Sequence, residues 1–430
     1  LCGVWLAPCQ TGGPADLNRP KMIRQIAARD WKSAAITIKN AIPRPAILGR
    51  ICPAPCENGC RRKSLDAPVA ICKLKRIAAE IDLDAPSPYL PDKAAATGKQ
   101  VAIIGAGPAG LTAAWQLLRS GVDCVIYDDH PKLGGMLRYG VDRDRLPETV
   151  IDAETAQIVK LGATVKLGVR VGRDVSLQEV LDSYDAVAIA TGGLTADGAK
   201  AFGLPPVKDG GHIIAATLQT GIDKVFAIAP AGGKPLAVRA VGYGKRLAAS
   251  ISDFFAGLPV SPRAKPFNSR MGKIRDSEKP ALIDGSSTDA RIEPAAADGG
   301  YAVDEAVRES ARCLNCDCIA AEDCRLRQYA DEYGAAFTGS AARRDFIKDD
   351  SHSELVFESG KCIRCGLCVR LAELSGEPIG LAFKGRGYDM SVAVPLSRRF
   401  NEALTASAKE CAAACPTGAL RLKRTHFQTA

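Results

Sequence analysis

The stretch KQVAIIGAGPAGLTAAWQLLRSG, residues 99–121, decides the fold. It sets a short apolar run, Val101–Ile104, directly before a glycine turn and a helix-forming segment that stops near Gly121. A lone GxGxxG is a weak signal, but strand, turn and helix in that order make a dinucleotide site. Gly105 permits the tight turn, Gly107 lets a pyrophosphate approach the backbone, and Gly110 lets helix and strand pack closely. Pro108 and Ala109 open the helix, whose N-terminus supplies partial positive charge. Asp128 ends the next apolar run, CVIYD, 23 positions after Gly105, where a carboxylate accepts ribose hydroxyls.

Outward from this site the same alternation continues, with DAVAIA at 185–190 and KVFAIA at 224–229 separated by helical stretches. That pattern predicts a parallel sheet with crossover helices. Residues 1–95 read as short helices carrying cysteines, among them stretches over Asp30–Ile42 and Val69–Ile81, and Pro86, Pro88 and Pro91 mark a linker. Residues 258–304 are rich in Pro, Gly, Ser and Asp and read as a polar connector. A helical four-cysteine segment is expected over 305–345 and a last cysteine-bearing module over 346–430, with the nucleotide domain spanning 96–257.

The chain has 430 residues, enough for about three domains at roughly 150 residues each. With 47% hydrophobic and 24% charged residues it is globular in composition, not disordered, collagenous or coiled-coil. No apolar run approaches the ~18 residues that a spanning helix needs. The net charge of +9 is scattered, without a basic tract, which argues against nucleic acid and for an acidic protein partner such as a small ferredoxin. The chain begins at Leu1, not Met, as a fragment or processed product would.

Sixteen Cys stand against only four His. Their clustering at short gaps points to bound metal in a reducing, cytoplasmic setting rather than to disulfides. GKCIRCGLCVR places Cys362, Cys365 and Cys368, and ACPTGAL adds Cys415. This is the bacterial ferredoxin pattern for a 4Fe-4S cluster: three thiolates from one turn and a fourth from a distant Cys-Pro. A second ferredoxin cluster would need Cys at 372, 405 and 408, where Ala372, Thr405 and Ala408 stand, so Cys411 is left as a spare. ARCLNCDCIAAEDCRLRQYADEYGA holds Cys313, Cys316, Cys318 and Cys324, a set open to zinc or to another 4Fe-4S cluster. Cys124, inside a strand, reads as a buried small hydrophobe. The motifs GxSxG, HExxH and Walker A are all missing, and His130, His212, His352 and His426 are scattered.

Two longer stretches, HPKLGGMLRYGVDRDRLP at 130–147 and VGRDVSLQEVLDSYDAVAIATGG at 171–193, extend the reading. With the glycine loop they resemble the flavin domain of the glutamate synthase small subunit family, which includes the amino-terminal half of dihydropyrimidine dehydrogenase. The resemblance covers about 1–255 and implies FAD, with Gly135, Leu137 and Arg138 beside the flavin, and Val171, Ala190, Thr191 and Gly192 also at the cofactor. GRICPAPCENGC, with Cys52, Cys56 and Cys60, is similar to the iron–sulfur segment of the same family. Cys72 then joins these as a ligand, one helical turn before Lys75, which occupies a position acidic or amide in relatives. Of a second amino-terminal set only Cys2 and Cys9 remain, Gly13 occupying a ligand position. The count is therefore three clusters, with a fourth if Cys2 and Cys9 recruit a further residue. Arg364, Arg61 and Arg62 would raise cluster potentials if near.

The chain departs from that family twice. Only 33 residues separate Thr191 from Val225, too few for the NAD(P)H domain of relatives, and Gly242 and Gly244 read as part of a returning helix. Ala229 and Pro230 replace a Gly-Asp pair that holds the ribityl chain. The carboxy-terminal module resembles that of the large iron–sulfur subunit of complex I and of iron-only hydrogenases. The expected architecture is an α/β Rossmann-like FAD-binding domain, flanked by a helical iron–sulfur domain and a ferredoxin-like (α+β) 4Fe-4S module. The expected function is an electron-transfer subunit of a hetero-oligomeric oxidoreductase. The alternatives are a self-contained NAD(P)H diaphorase and a structural zinc subunit with an empty nucleotide fold.

Overall fold

The computed structural model describes residues 6–192, 194–207, 211–228, 236–262, 267–268, 275–335 and 347–423. They form two compact units, one of Cys9–Ala264 with Asp289–Ala311, the other of Leu1–Pro8, Lys265–Thr288 and Arg312–Ala430.

In the first unit, the alternation read from the sequence becomes five parallel strands: β1 (Gln100–Ile104), β2 (Asp123–Asp128), β3 (Thr164–Leu167), β4 (Ala186–Ile189) and β5 (Val225–Ala227). Their order is β3-β2-β1-β4-β5, so the chain reverses direction across the sheet at β1/β4, beside the glycine loop. Successive side chains of β1 enter opposite cores, Val101 and Ile103 one, Ala102 and Ile104 the other, which is why the strand is apolar throughout. Among the described residues there is no second parallel sheet.

Gly242 and Gly244 lie within the helix Ala237–Phe255, as expected. This helix packs along Pro108–Arg119, and a Cβ on Gly244 would overlap the Ala109 carbonyl oxygen. Ala229 and Pro230 lie outside the described residues.

The amino-terminal helices follow local capping. Asn18 caps Arg19–Ala27 by accepting from the Lys21 N–H, and Asp30 caps Trp31–Ala41 by accepting from that of Ser33. The helix expected over Val69–Ile81 runs Ile71–Leu83. Lys39, fully buried, pairs with Asp82 and donates to Gln157 on the helix Glu148–Lys160, so a buried ion pair ties these helices to the nucleotide domain. Glu154 of that helix accepts the Ala46 and Ile47 N–H groups, and its burial raises it to about 7 despite those donors.

Residues 289–311 return to this unit and do not run free. Arg76 pairs with Asp298, Arg291 donates to the Pro68 carbonyl, and Glu309 on the helix Val303–Ala311 accepts the Ala70 N–H.

The second unit holds β6 (Lys348–Asp349), β7 (Leu355–Glu358), β8 (Ala382–Lys384), β9 (Ser391–Ala393) and β10 (Leu420–Leu422). An antiparallel sheet of order β10-β7-β6 carries the helices Leu367–Leu374 and Ala408–Ala414 over a core of Leu355, Ala372, Phe400 and Leu420. β8 and β9 pair as a separate hairpin. No helix among the described residues is long and apolar enough to cross a membrane.

The Gly244 contact is backbone against backbone, so a side chain there finds no soft neighbour. Gly244→Val should cost about 2 kcal/mol or more and lower the urea midpoint of the first unit.

Candidate metal centres and dinucleotide site

The glycine loop is held by close backbone approach. Gly105 has φ +110°, and a Cβ on it would lie 2.5 Å from the Ala190 oxygen at the end of β4. A Cβ on Gly110 would overlap the Gly105 oxygen, whereas one on Gly107 would meet nothing within 4 Å. The open space thus lies over Gly107, at the N-terminus of Pro108–Arg119, where a pyrophosphate fits. Asp128 is buried; one of its oxygens accepts the Ala106 N–H at 2.6 Å and the other that of His130 at 2.9 Å. It ties the loop to the end of β2 and keeps lone pairs for a ribose.

The Gly134–Gly135 turn rests on this loop. The Gly134 N–H donates to the Ala106 carbonyl at 3.0 Å, and a Cβ on Gly135 would lie 2.8 Å from the Gly107 Cα. Ala190 donates to the Ile104 carbonyl, with Thr191 and Gly192 exposed just beyond. Leu137 packs with Ile47, Leu146 and Ile151, and Arg138 is buried against Asp152, Glu148 and the Leu133 carbonyl. Both side chains brace the turn from beneath. Val171 is packed in the core on one face of the sheet.

His130, read from sequence as unremarkable, stacks on Tyr139 at 4.3 Å, with Nδ1 2.9 Å from carboxylate oxygens of both Asp128 and Asp129. Arg44, also missed, lies under the first turn of Pro108–Arg119 and donates to the Thr112 hydroxyl. Neither carries a sequence signal, because each acts through a fold contact.

Cys52, Cys56 and Cys72 meet in the amino-terminal helices. Cys52 and Cys56 donate to Cys72; that bond, with burial, holds their own thiols up and draws Cys72 well below the usual thiol range. The Lys75 Nζ adds to this, 3.8 Å from the Cys72 Sγ, as does the charge of Arg19. Cys60 is half-buried three residues after Glu57, whose carboxylate accepts the Cys72 N–H. Cys9 is buried on the short helix Pro8–Thr11, and Cys2 lies outside the described residues. A Cβ on Gly13 would overlap the Arg19 guanidinium, so a cation stands where the sequence loses a ligand.

Cys362, Cys365, Cys368 and Cys415 line one cavity with Ile363, Leu367 and Val392. Burial, then the neighbouring thiols, push Cys368 up to about 12. The Arg364 N–H points at the Cys362 Sγ, 3.3 Å away. Cys318 and Cys324 are fully buried, while Cys313 and Cys316 are half-buried.

Four thiolates around zinc stand about 3.8 Å apart, from a Zn–S bond near 2.3 Å. Among the described residues no cysteine set has its sulfurs all within 4.8 Å; only Asp128, Asp129 and His130 place ligand atoms that close. Cys124 is buried in the core, its thiol pushed up by that burial.

The positions that a second ferredoxin cluster would use, 372, 405 and 408, are taken up by other contacts. Ala372, Ala408 and Cys411 lie in the core, and the Glu377 carboxylate accepts the N–H groups of Thr405, Ala406 and Ser407 and the hydroxyls of Thr405 and Ser407, all within 3.0 Å.

Fold and thiols together define an iron–sulfur protein with a dinucleotide-binding domain. Residues 2–85 match the family described as dihydropyrimidine dehydrogenase domain II, 4Fe-4S cluster, and residues 103–170 the NAD(P)-binding Rossmann-like domain. The chain is 38% identical over 188 residues to the NAD-dependent dihydropyrimidine dehydrogenase subunit PreT of Salmonella typhimurium, covering 43% of this chain and 45% of the relative. It is 38% identical over 207 residues to the NADP(+)-dependent formate dehydrogenase subunit beta of Moorella thermoacetica, covering 43% and 29%. It is 39% identical over 168 residues to the NADH glutamate synthase of Schizosaccharomyces pombe, covering 38% and 8%. The chain spans less than half the length of these relatives. The resemblance read from the motifs is borne out over the matched residues, where the chain is similar to a 4Fe-4S cluster domain followed by a nucleotide-binding Rossmann-like domain.

Partial burial alone would raise the Glu377 pKa, but its backbone and hydroxyl donors outweigh this and bring it to about 2, from an ordinary 4.5. A depressed folded pKa gives stability that is present above the unfolded value and lost as pH falls toward the folded one. The urea midpoint of Glu377→Gln should therefore lie below wild type at neutral pH, and the gap should close between pH 4.5 and about 2.

Proposed function

We propose that this chain is the electron-transfer subunit of a multi-subunit oxidoreductase, carrying electrons between FAD at the Gly105 loop and 4Fe-4S clusters, and on to a partner. The observation that carries it is the convergence of Cys362, Cys365, Cys368 and Cys415 on one apolar cavity, in a chain that also builds a dinucleotide loop. FAD is favoured by the Gly134–Gly135 turn, which packs against the backbone of Gly107 as the resemblance to the flavin family implies. Gly105, Gly107, Pro108, Ala109, Gly110 and Asp128 would hold the pyrophosphate and ribose. Ala190, Thr191 and Gly192 would border the cofactor where β4 ends, with Gly135 above. Bound there, a flavin exchanges two electrons while clusters pass them singly.

The chain's own part is to exclude water, supply N–H groups to sulfur, and set local charge. Cys52, Cys56, Cys60 and Cys72 would hold one cluster, beside Arg19 and Lys75, whose charge favours the reduced form. Cys362, Cys365, Cys368 and Cys415 would hold another, and Cys313, Cys316, Cys318 and Cys324 a third. The terminal substrate belongs to a partner subunit.

A second reading, a self-contained NAD(P)H diaphorase, is favoured by the description of the family matched at 103–170. Rapid bleaching of the isolated chain in anaerobic NADH or NADPH titrations would establish it over the first.

The partner's docking face is read from the exposed side of the cavity. Cys365 is exposed, with Ile363, Leu367 and Phe383 also exposed around it. The β8–β9 hairpin adds Lys384 and Arg386, which carry no carboxylate partner among the described residues. An apolar centre within a basic rim suits an acidic ferredoxin.

Anaerobically purified chain should contain about twelve iron with matching sulfide and about one FAD, whereas zinc without flavin would overturn the reading. The double variant Lys384→Glu, Arg386→Glu should slow reduction of a small acidic ferredoxin by roughly tenfold at low salt, with the difference fading toward 1 M salt.

A further inference from the structure

Arg44 directly precedes the short helix Pro45–Ile51 and is only 1% exposed. Its Nη2 donates to the Pro108 carbonyl and, at 2.9 Å, to the Thr112 hydroxyl, which itself donates to the Pro108 carbonyl at 2.6 Å. All of these contacts fall in the first turn of Pro108–Arg119, the helix that begins beside the open space over Gly107. The other guanidinium nitrogen, Nη1, is buried and has no hydrogen-bond partner among the described residues. A cation is costly to bury. It is also unfavourable beside a helix N-terminus, where the backbone N–H groups already carry partial positive charge. Burial accordingly lowers the Arg44 guanidinium to about 10, and the charge of Glu154 offsets this only in part. Glu154 is buried as well, and its two oxygens are occupied by the Ala46 and Ile47 N–H groups.

We propose that Arg44 is a positioning residue for an anionic dinucleotide, its guanidinium serving as the buried counter-charge to a pyrophosphate held over Gly107. This rests on the dinucleotide reading of the loop, and goes beyond it by naming the group that sets how tightly the loop holds its ligand. The backbone N–H groups of the helix end supply only partial charge. A full positive charge fixed against the first turn adds to them, and in a site closed to water it acts more strongly than it would in solution. Salt screens it little for the same reason. With the loop empty, the helix end and the guanidinium are two positive groups facing each other. An anion on the loop relieves both, so the cost of burying Arg44 is recovered as binding free energy. Glu154 acts in the opposite sense. Its carboxylate tempers Arg44 in the empty site and repels an arriving anion.

The test uses the full chain purified with its flavin, and follows FAD release after dilution by fluorescence, with urea midpoints measured alongside. Arg44→Met should release FAD roughly tenfold faster than wild type, and the difference should persist at 1 M salt. Arg44→Lys, which keeps the charge, should recover most of the wild-type rate. Glu154→Gln should release FAD more slowly than wild type even though losing its backbone bonds lowers the urea midpoint. Those opposite signs separate a counter-charge from a packing role, in which both neutral variants would loosen the cofactor. Equal release from wild type and Arg44→Met, or faster release from Glu154→Gln, would sink the proposal while leaving the dinucleotide site intact. If Arg44→Met fails to fold, the direction of the Glu154→Gln change decides. A wild-type chain that holds no FAD and takes up neither FAD nor NADPH would overturn the dinucleotide reading itself.

Discussion

Thiols gathered in one place resist ionising together, because each thiolate raises the cost of the next, and this chain repeats that arrangement at Cys52, Cys56 and Cys72 and again at Cys362, Cys365, Cys368 and Cys415. At Cys368 burial and the surrounding thiols act in the same direction, both raising its thiol. Four such groups facing an apolar cavity are stable as thiolates only around a metal centre, which deprotonates its ligands outright. The turns, helices and hairpin of the second unit are organised to present these sulfurs.

The amino-terminal thiols solve the same problem differently. Lys75 and Arg19 are both buried beside Cys72, and Cys72 becomes the easiest of its group to ionise. In the carboxy-terminal unit the buried Lys361 is already paired with Glu358, so it offers the adjacent cavity little net charge.

Much of the candidate site was legible because its determinants are local. The strand, glycine turn and helix at 101–119 lie within a single supersecondary unit, and Cys-x2-Cys-x2-Cys needs only a tight turn. Even the loss of the second ferredoxin site could be read from Ala372, Thr405 and Ala408. What replaces it could not: Glu377 reaches its amides across 28 residues, with no spacing rule to announce it. Arg138 shows the converse limit, since its motif places it near the nucleotide while Asp152, fourteen residues on, turns its side chain to the helix below.

By itself the sequence determined which segments become strands, which turns must be glycine and which cysteines travel in sets, because those depend on short-range sterics and periodicity. Only the tertiary structure decided that Cys318 rests on Gly418, that Arg19 fills the space beside Gly13, and that residues 289–311 return to the amino-terminal helices. Each of those is a contact between residues far apart in the chain. Burial decides it, by which surfaces must leave water together, and no run of neighbouring residues encodes that choice.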